Sequence, residues 1–404
     1  MNPRKICVLL LSCILVSGLW GQKPKVYLLN ADTLMSVQQS VFKGEKRYVS
    51  AVKKLMRDAE KVLKMEIPAI TNKELVPPSG DKRDYYSLSR YWWPDPNKAD
   101  GLPYIRRDGE SNPETESIPD NNNLNTFMKS VTTLAWAYFY SGDEKYAESA
   151  VSWLRKWLIN PETRMNPNLR FSQQVRGRDV ERGTGILDAR EFSQLVDVIG
   201  FVQMSRSLPP EDNAKIIQWF KEYLQWLVES PNGISESNAQ NNHGTWYDVQ
   251  TTAIALFVGD KARALQICEK AKTKRIAYQI TPEGKEPEEL VRTLSWHYSQ
   301  FNLYALTRLA DLAKYVNVDL WNFSTADGRS IRTCLDYLIP FAYKEKKWES
   351  TQIKEMTFEA LSMTAMRAAA VYGNEKYANV FDKFFAGNRE TDRIVLQYGA
   401  VFGR

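Results

Sequence analysis

The feature that most constrains this chain is its periodicity. Almost every patterned stretch has the spacing of an α-helix, and the links between stretches are short. From Tyr48 to Met65, Val49, Val52, Leu55, Met56, Ala59, Val62 and Leu63 fall on one stripe. The same spacing predicts helices over about 123–140, 143–159, 188–206, 211–230, 246–258, 260–272, 287–315, 328–343, 354–372 and 374–386. No run of alternating residues predicts a series of strands. Links such as Ser141-Gly142-Asp143 and Tyr372-Gly373-Asn374 make neighbouring helices antiparallel. Antiparallel pairs of this length, without a strict sequence repeat, predict an all-α fold: an α/α toroid or a helical solenoid.

Two long stretches break the pattern, about 67–122 and about 160–185. They carry Pro, Gly, Asp, Trp, Tyr, Arg and Gln rather than low-complexity sequence. Irregular segments of this length in a compact protein are usually functional or disordered; these are read as ordered walls of a binding groove. Within them, Trp92 and Trp93 either stack on a ligand or plug the wall. Gln173, Arg178 and Arg182 are candidates to bind hydroxyl and carboxylate groups.

The first 21 residues read as an export signal. Arg4 and Lys5 precede an apolar run, Ile6 to Val16, too short to span a bilayer, and Ser17, Gly18 and Gly21 suit cleavage before Gln22. Lipoprotein processing at Cys13 is the alternative, opposed by the apolar Ile14, Leu15 and Val16 beyond it. A single domain over 22–404 and a periplasmic location are expected, with no membrane span. Cys268 and Cys334 would then be the remaining cysteines, and an oxidising compartment permits but does not require their pairing.

The net charge of +6, from 54 basic and 48 acidic residues, suits an anionic ligand. Nucleic acid is set aside, because no basic cluster, zinc-finger spacing or RNP-like motif is present. The 12 Trp and 20 Tyr offer flat faces with a polar handle, which serve sugar rings and helical cores equally well.

The chain has two histidines, each in a polar-aromatic cluster: Asn241-Asn242-His243-Gly244-Thr245-Trp246-Tyr247 and Arg292-Thr293-Leu294-Ser295-Trp296-His297-Tyr298. Asn-Asn-His ahead of a helix also fits a simple cap. Yet these side chains match what β-elimination at a uronate needs. The C5 proton beside the carboxylate is weakly acidic, and its removal builds charge that Asn and Arg can hold. A base takes that proton, and an acid protonates the departing O4. Tyr fills either role if a cation lowers its pKa, and neutral His can be a base. No metal or other cofactor is required. His297, on another helix face than Tyr298, reads as structural, and Lys344, Lys346 and Lys347 beside Trp348 as a solvated face.

Four blocks carry a resemblance: Tyr85-Tyr86-Ser87 to Tyr91-Trp92-Trp93-Pro94-Asp95-Pro96; Asn168-Leu169-Arg170-Phe171-Ser172-Gln173 with Gly177 and Arg182-Gly183-Thr184-Gly185-Ile186; Asn241-Asn242-His243; and Glu289-Leu290-Val291-Arg292 leading to His297-Tyr298-Ser299. In this order, over roughly residues 48–370, the chain resembles the alginate-lyase superfamily, which contains polysaccharide lyase families 5 and 38. The resemblance implies an α/α toroid and a metal-free elimination of alginate, an anionic polysaccharide. It implies Tyr298 as acid and as base for syn elimination. His243 becomes the base for the opposite C5 epimer or a carboxylate neutraliser, with Asn242 and Arg292 the other neutralisers. Outside what the resemblance implies, Trp92, Trp93, Gln173, Arg178, Arg182 and Trp246 are the candidate substrate contacts. Arg292 and Tyr298 are six residues apart, roughly 120° around a regular helix, so either the helix starts late or Arg292 reaches around. This spacing favours family 38 over family 5.

Three readings compete with alginate elimination. One is elimination on glucuronan or another uronate polymer. Another is an α/α-barrel glycoside hydrolase using two of Asp179, Glu181, Asp188 and Asp248. The last is a non-catalytic glycan-binding protein.

Overall fold

The structure is a computed structural model that describes residues 22–178 and 182–399. The proposed signal at 1–21, with Cys13, lies outside the described residues, as do Asp179 and Glu181.

Fifteen helices dominate the described residues. Five form an inner row: α3 (Asp120–Ser141), α5 (Phe192–Val202), α8 (Asn242–Val258), α11 (Ser295–Ala313) and α13 (Glu359–Tyr372). Each packs on the next, α3 on α5, α5 on α8, α8 on α11 and α11 on α13. An outer layer backs them. In it, α1 (Ala31–Phe42), α2 (Lys46–Val62) and α4 (Glu144–Leu154) cover α3. Next, α6 (Pro210–Glu229), α7 (Pro231–Ser237) and α9 (Lys261–Ala271) cover α8. The short α10 (Pro287–Leu290) and α12 (Ile331–Ala342) lie against α11, α14 (Glu375–Phe384) against α13, and α15 (Ile394–Tyr398) against α1 and α2. This is the expected α/α toroid.

The two layers differ in composition for a physical reason. A helix enclosed on all sides has no face left for charge. Accordingly α8 is buried along nearly its whole length, its buried polar positions being Asn242, Thr245, Asp248, Gln250, Thr251 and Thr252. Outer α2 buries only Tyr48, Ala51, Leu55 and Ala59. The predicted stripe there is off by a residue at its start: Val49 is 37% exposed, and Tyr48 faces the core. Aromatic contacts seam the inner helices, as where Trp136 and Phe139 of α3 meet Phe201 of α5 with ring centroids 4.9 and 4.6 Å apart. Each such buried ring contributes roughly 1.5–3 kcal/mol by leaving water.

The described parts of the non-helical stretches contain four short strands: β1 (Tyr86–Leu88), β2 (Trp92–Trp93), β3 (Ile105–Arg106) and β4 (Phe171–Gln174). β1 pairs in parallel with β4, and β2 pairs antiparallel with β3. The first stretch is tied to α3 by a buried ion pair, Lys73 to Asp120, whose carboxylate also accepts the Tyr86 amide at 2.8 Å. Cys268 and Cys334 are buried and free, so they do not pair. No helix among the described residues is long and apolar enough to cross a membrane.

Candidate active site

A cleft of about 780 Å³ opens where the inner helices begin. Asn121 and Asn122 line it from the first turn of α3, Leu187 to Arg190 in part from the turn before α5, His243 from α8, and Tyr298 from α11. Four helix N-termini therefore converge on one space. Their dipoles favour negative charge there. The irregular stretches form the opposite wall, with Ser87 to Trp92, Arg106 and Gln173.

Tyr298 stands in the first turn of α11, and its hydroxyl donates to the Tyr91 hydroxyl at 3.0 Å. The Arg292 guanidinium lies over its ring, 3.7 Å from the centroid. Burial pushes the Tyr298 phenol above the ordinary value of ~10, and Arg292 pulls it back only in part. Tyr298 is thus held as a protonated phenol, a ready acid. The helix starts late, at Ser295, which answers the six-residue spacing: Arg292 belongs to the link after α10, where no regular helix dictates its direction. Its Nε and Nη2 donate to Asp108, while Nη1 makes no hydrogen bond among the described residues.

His243 is the second helical residue of α8. The Asn241 side chain caps that helix by accepting the His243 amide at 3.2 Å, so the capping reading holds. His243 Nδ1 meets Glu236 Oε1 at 2.6 Å, which leaves Nε2 as the nitrogen for the cleft. Burial pushes the imidazole pKa down, but the Glu236 charge and hydrogen bond outweigh it, and the net shift is upward. The α8 start is fixed by the buried Arg275, which donates to the carbonyls of Ala239 and Ser237 and pairs with Asp248. Gly244 permits this: a Cβ there would stand 2.1 Å from the Ala239 carbonyl oxygen and 2.5 Å from Arg275 Nη1.

Several expected contacts are placed elsewhere. Asn242 is wholly buried behind the cleft wall, its amide and side-chain NH2 both donating to Glu289 at 2.6 to 2.9 Å. Its neighbour Asn241 lines the cleft instead. Trp246 is 1% exposed and packs on Phe301 at 5.0 Å, so it is core, one turn beneath His243. Trp93 is half-buried outside the cleft lining, with its indole N–H donating to the Glu110 carbonyl. Trp92 does line the cleft, but Arg178 and Arg182 lie over its ring at 4.7 and 5.3 Å. It is a platform for cations rather than a bare face for a sugar. Arg178 is exposed outside the cleft lining, whereas Arg182 lines the cleft. Burial, then the like charges of Arg106 and Arg178, lower the Arg182 pKa, so a carboxylate would relieve that crowding.

Gln173 lines the cleft with φ of 48° and donates to Asp188 at 2.8 Å. Asp188 also accepts from Tyr85 and Ser87, so this hydrolase candidate is occupied in tying β1, β4 and the turn before α5 together. Asp248, the other described candidate, is buried against Arg275. His297 is outside the cleft lining, bonded to Gln352, and Lys344, Lys346 and Lys347 are exposed away from it. Among the described residues, no group of three or more His, Cys, Asp or Glu could hold a metal ion. Sequence reasoning missed Tyr91, Asp108 and Glu236. Tyr91 lay in a quoted block but carried no distinguishing signal, and the other two are ordinary loop or helix carboxylates until the fold brings them to their partners.

The chain matches the family model for alginate lyase over residues 69–348. A crystal structure of an alginate lyase from Bacteroides ovatus is 37% identical, with a TM-score of 0.89, covering 93% of this chain and 99% of that one. Alginate lyase A1-III from Sphingomonas species A1 is 16% identical with a TM-score of 0.59, covering 93% and 97%. A histidine-to-alanine variant of A1-III complexed with tetrasaccharide is 14% identical with a TM-score of 0.61, covering 95% and 97%. No curated protein sequence matches.

Proposed function

The chain belongs to the alginate lyase family and is a polysaccharide lyase acting on alginate, and we propose that it works by metal-independent β-elimination with its acid and its histidine on adjacent inner helices. The observation that carries this reading is that Tyr298 with Arg292 and His243 with Glu236 line one cleft from the starts of different helices.

The uronate carboxylate is received by Nη1 of Arg292 and, on mannuronate blocks, by cationic His243, which stabilise the charge that builds as the C5 proton leaves. Tyr298 delivers its phenolic proton to O4 as the C4–O4 bond breaks, and the C4–C5 double bond forms. On guluronate blocks, neutral His243 takes the C5 proton through Nε2. On mannuronate blocks, where one group serves both ends, Tyr298 must begin as phenolate. Burial opposes that form and Arg292 favours it. The mannuronate reaction is therefore expected to rise toward alkaline pH, and the guluronate reaction to peak lower.

The test is the ultraviolet absorbance of the unsaturated uronate end. Polymannuronate, polyguluronate and glucuronan are each mixed with the protein and with Tyr298→Phe. The expected result is a rise on both alginate homopolymers that is lost in the variant. A variant that retains the rate would remove Tyr298 from the chemistry, and action on one homopolymer alone would remove the dual role of His243 and Tyr298. We also propose export of the mature enzyme to the periplasm, motivated by the Arg4 to Gly21 pattern. Recovery in the cytoplasmic fraction with Met1 retained would refute it.

A further inference from the structure

Asp108 sits on the wall opposite the inner helices, just after β3, and none of the four sequence blocks includes it. Its carboxylate accepts from Arg292 Nε at 3.2 and 3.1 Å and from Nη2 at 2.7 Å. It also accepts the Thr293 amide at 3.1 Å and the Thr293 hydroxyl at 3.0 Å. The Asp108 carbonyl takes that hydroxyl as well, at 2.8 Å. Arg106, another cleft residue, donates to the same carboxylate at 2.7 Å. The chain path is built for this approach. Gly109 has φ of +79°, and a Cβ there would stand 2.6 Å from the Thr293 hydroxyl oxygen and 3.0 Å from Ile353.

Arg292 needs such a partner. It lies between the last residue of α10 and the first of α11, so helical packing does not fix its side chain. With Nε and Nη2 consumed by Asp108, the plane of the guanidinium is set. Nη1 is left without a hydrogen bond among the described residues, and the group rests on the Tyr298 ring.

We propose that Asp108 is a positioning residue for the elimination. It clamps Arg292 across the cleft wall so that one guanidinium both receives the uronate carboxylate and sits over the acid Tyr298. The inference rests on the lyase reading and adds a residue that touches no substrate. It acts through Arg292 in two ways. The fork fixes geometry, and its negative charge offsets part of the field that Arg292 exerts on the phenol. Burial would raise the Asp108 pKa, but its bonds from Arg292 and Thr293 overcome this and hold it well below the usual carboxylate range, so the clamp stays ionised wherever the enzyme works.

The experiment compares wild type with Asp108→Asn, Arg292→Lys and the double variant, using kcat, KM and the pH profile on polymannuronate. A misplaced catalytic group costs on the order of 10²-fold, so Asp108→Asn is expected to lower kcat by ~10–10²-fold, with KM moving less. Its alkaline rise should shift to higher pH, because an Arg292 that has left the Tyr298 ring no longer favours the phenolate. In the Arg292→Lys background the same substitution should cost little, since the fork is already gone. A crystal structure of Asp108→Asn, which needs no turnover, should show Arg292 displaced from the Tyr298 ring. The proposal is overturned by an unmoved pH profile with unchanged kcat in folded Asp108→Asn, by fully additive losses, or by Arg292 staying in place. Absence of unsaturated product from wild type would defeat the lyase reading alone, and the crystal structure would still decide the clamp.

Discussion

Glu236→Gln is the most informative single change, because it removes one charge and keeps shape and reach. Glu236 ends α7, its side chain 3% exposed, with Oε1 2.6 Å from His243 Nδ1. A hydrogen bond to a charged group is worth ~1.5–3 kcal/mol and a neutral one ~0.5–1.5. The amide keeps a bond, so the charge-dependent part is ~1–1.5 kcal/mol. At 1.36 kcal/mol per decade, kcat/KM should fall roughly tenfold.

The direction of the pH effect separates the two roles of His243. Glu236 raises its pKa, so the variant loses its imidazolium at a lower pH than wild type. If neutral His243 is the base on polyguluronate, the acid limb of the profile moves to lower pH. If cationic His243 neutralises the carboxylate on polymannuronate, the loss of that contribution at higher pH also begins earlier. Stability follows the same proton. A raised folded pKa stabilises fully below the unfolded value of ~6.5 and is lost as pH rises through the folded value. The melting difference between wild type and variant should therefore be larger near pH ~6 than near pH ~9. Profiles that superimpose on both homopolymers, with a melting difference independent of pH, would refute the dyad.

Three further outcomes are expected. Trp92→Ala should raise KM roughly 2- to 30-fold, the equivalent of one cation–π contact of ~0.5–2 kcal/mol, while Trp246→Phe should lower the melting temperature and leave KM unchanged; steady-state kinetics with thermal melts check both. Dialysis against a strong chelator should leave the initial rate on alginate unchanged; a loss restored by a divalent cation would mean that Arg292 and His243 do not suffice to neutralise the carboxylate.

The layout of the fold was legible because helical period and short links act locally. Even so, periodicity ran helices through 287–315 without interruption, whereas the chain breaks between Leu290 and Ser295. The break is enforced from outside: Ser295 and Ile353 amides bond Thr351 and Thr293 carbonyls, and Asp108 occupies Thr293. Spacing cannot report a partner 184 residues away. Trp246 shows the converse error. Three residues after His243 it lies near the same helix face but ~4.5 Å further along the axis, and on an enclosed inner helix that one turn separates cleft from core. Asn242 and Asn241 differ by a single step around the cap, one facing Glu289 and the other the cleft.

These misplacements share a cause that bears on how the site works. The residues that sequence identified, Tyr298, His243 and Arg292, stand at or just before helix starts, where the backbone leaves regular geometry and side-chain direction depends on what the chain meets. What each meets is a residue that sequence did not identify: Tyr91, Glu236 and Asp108. Two of these come from the wall between β1 and α3 and one from the end of α7. The wall therefore does more than enclose a polyanion. It bonds the acid through Tyr91 and the neutraliser through Asp108, so anything that shifts 89–112 relative to α11 should alter kcat on every uronate block together. A change at Glu236, on the other side of the cleft, should alter only the step that depends on His243.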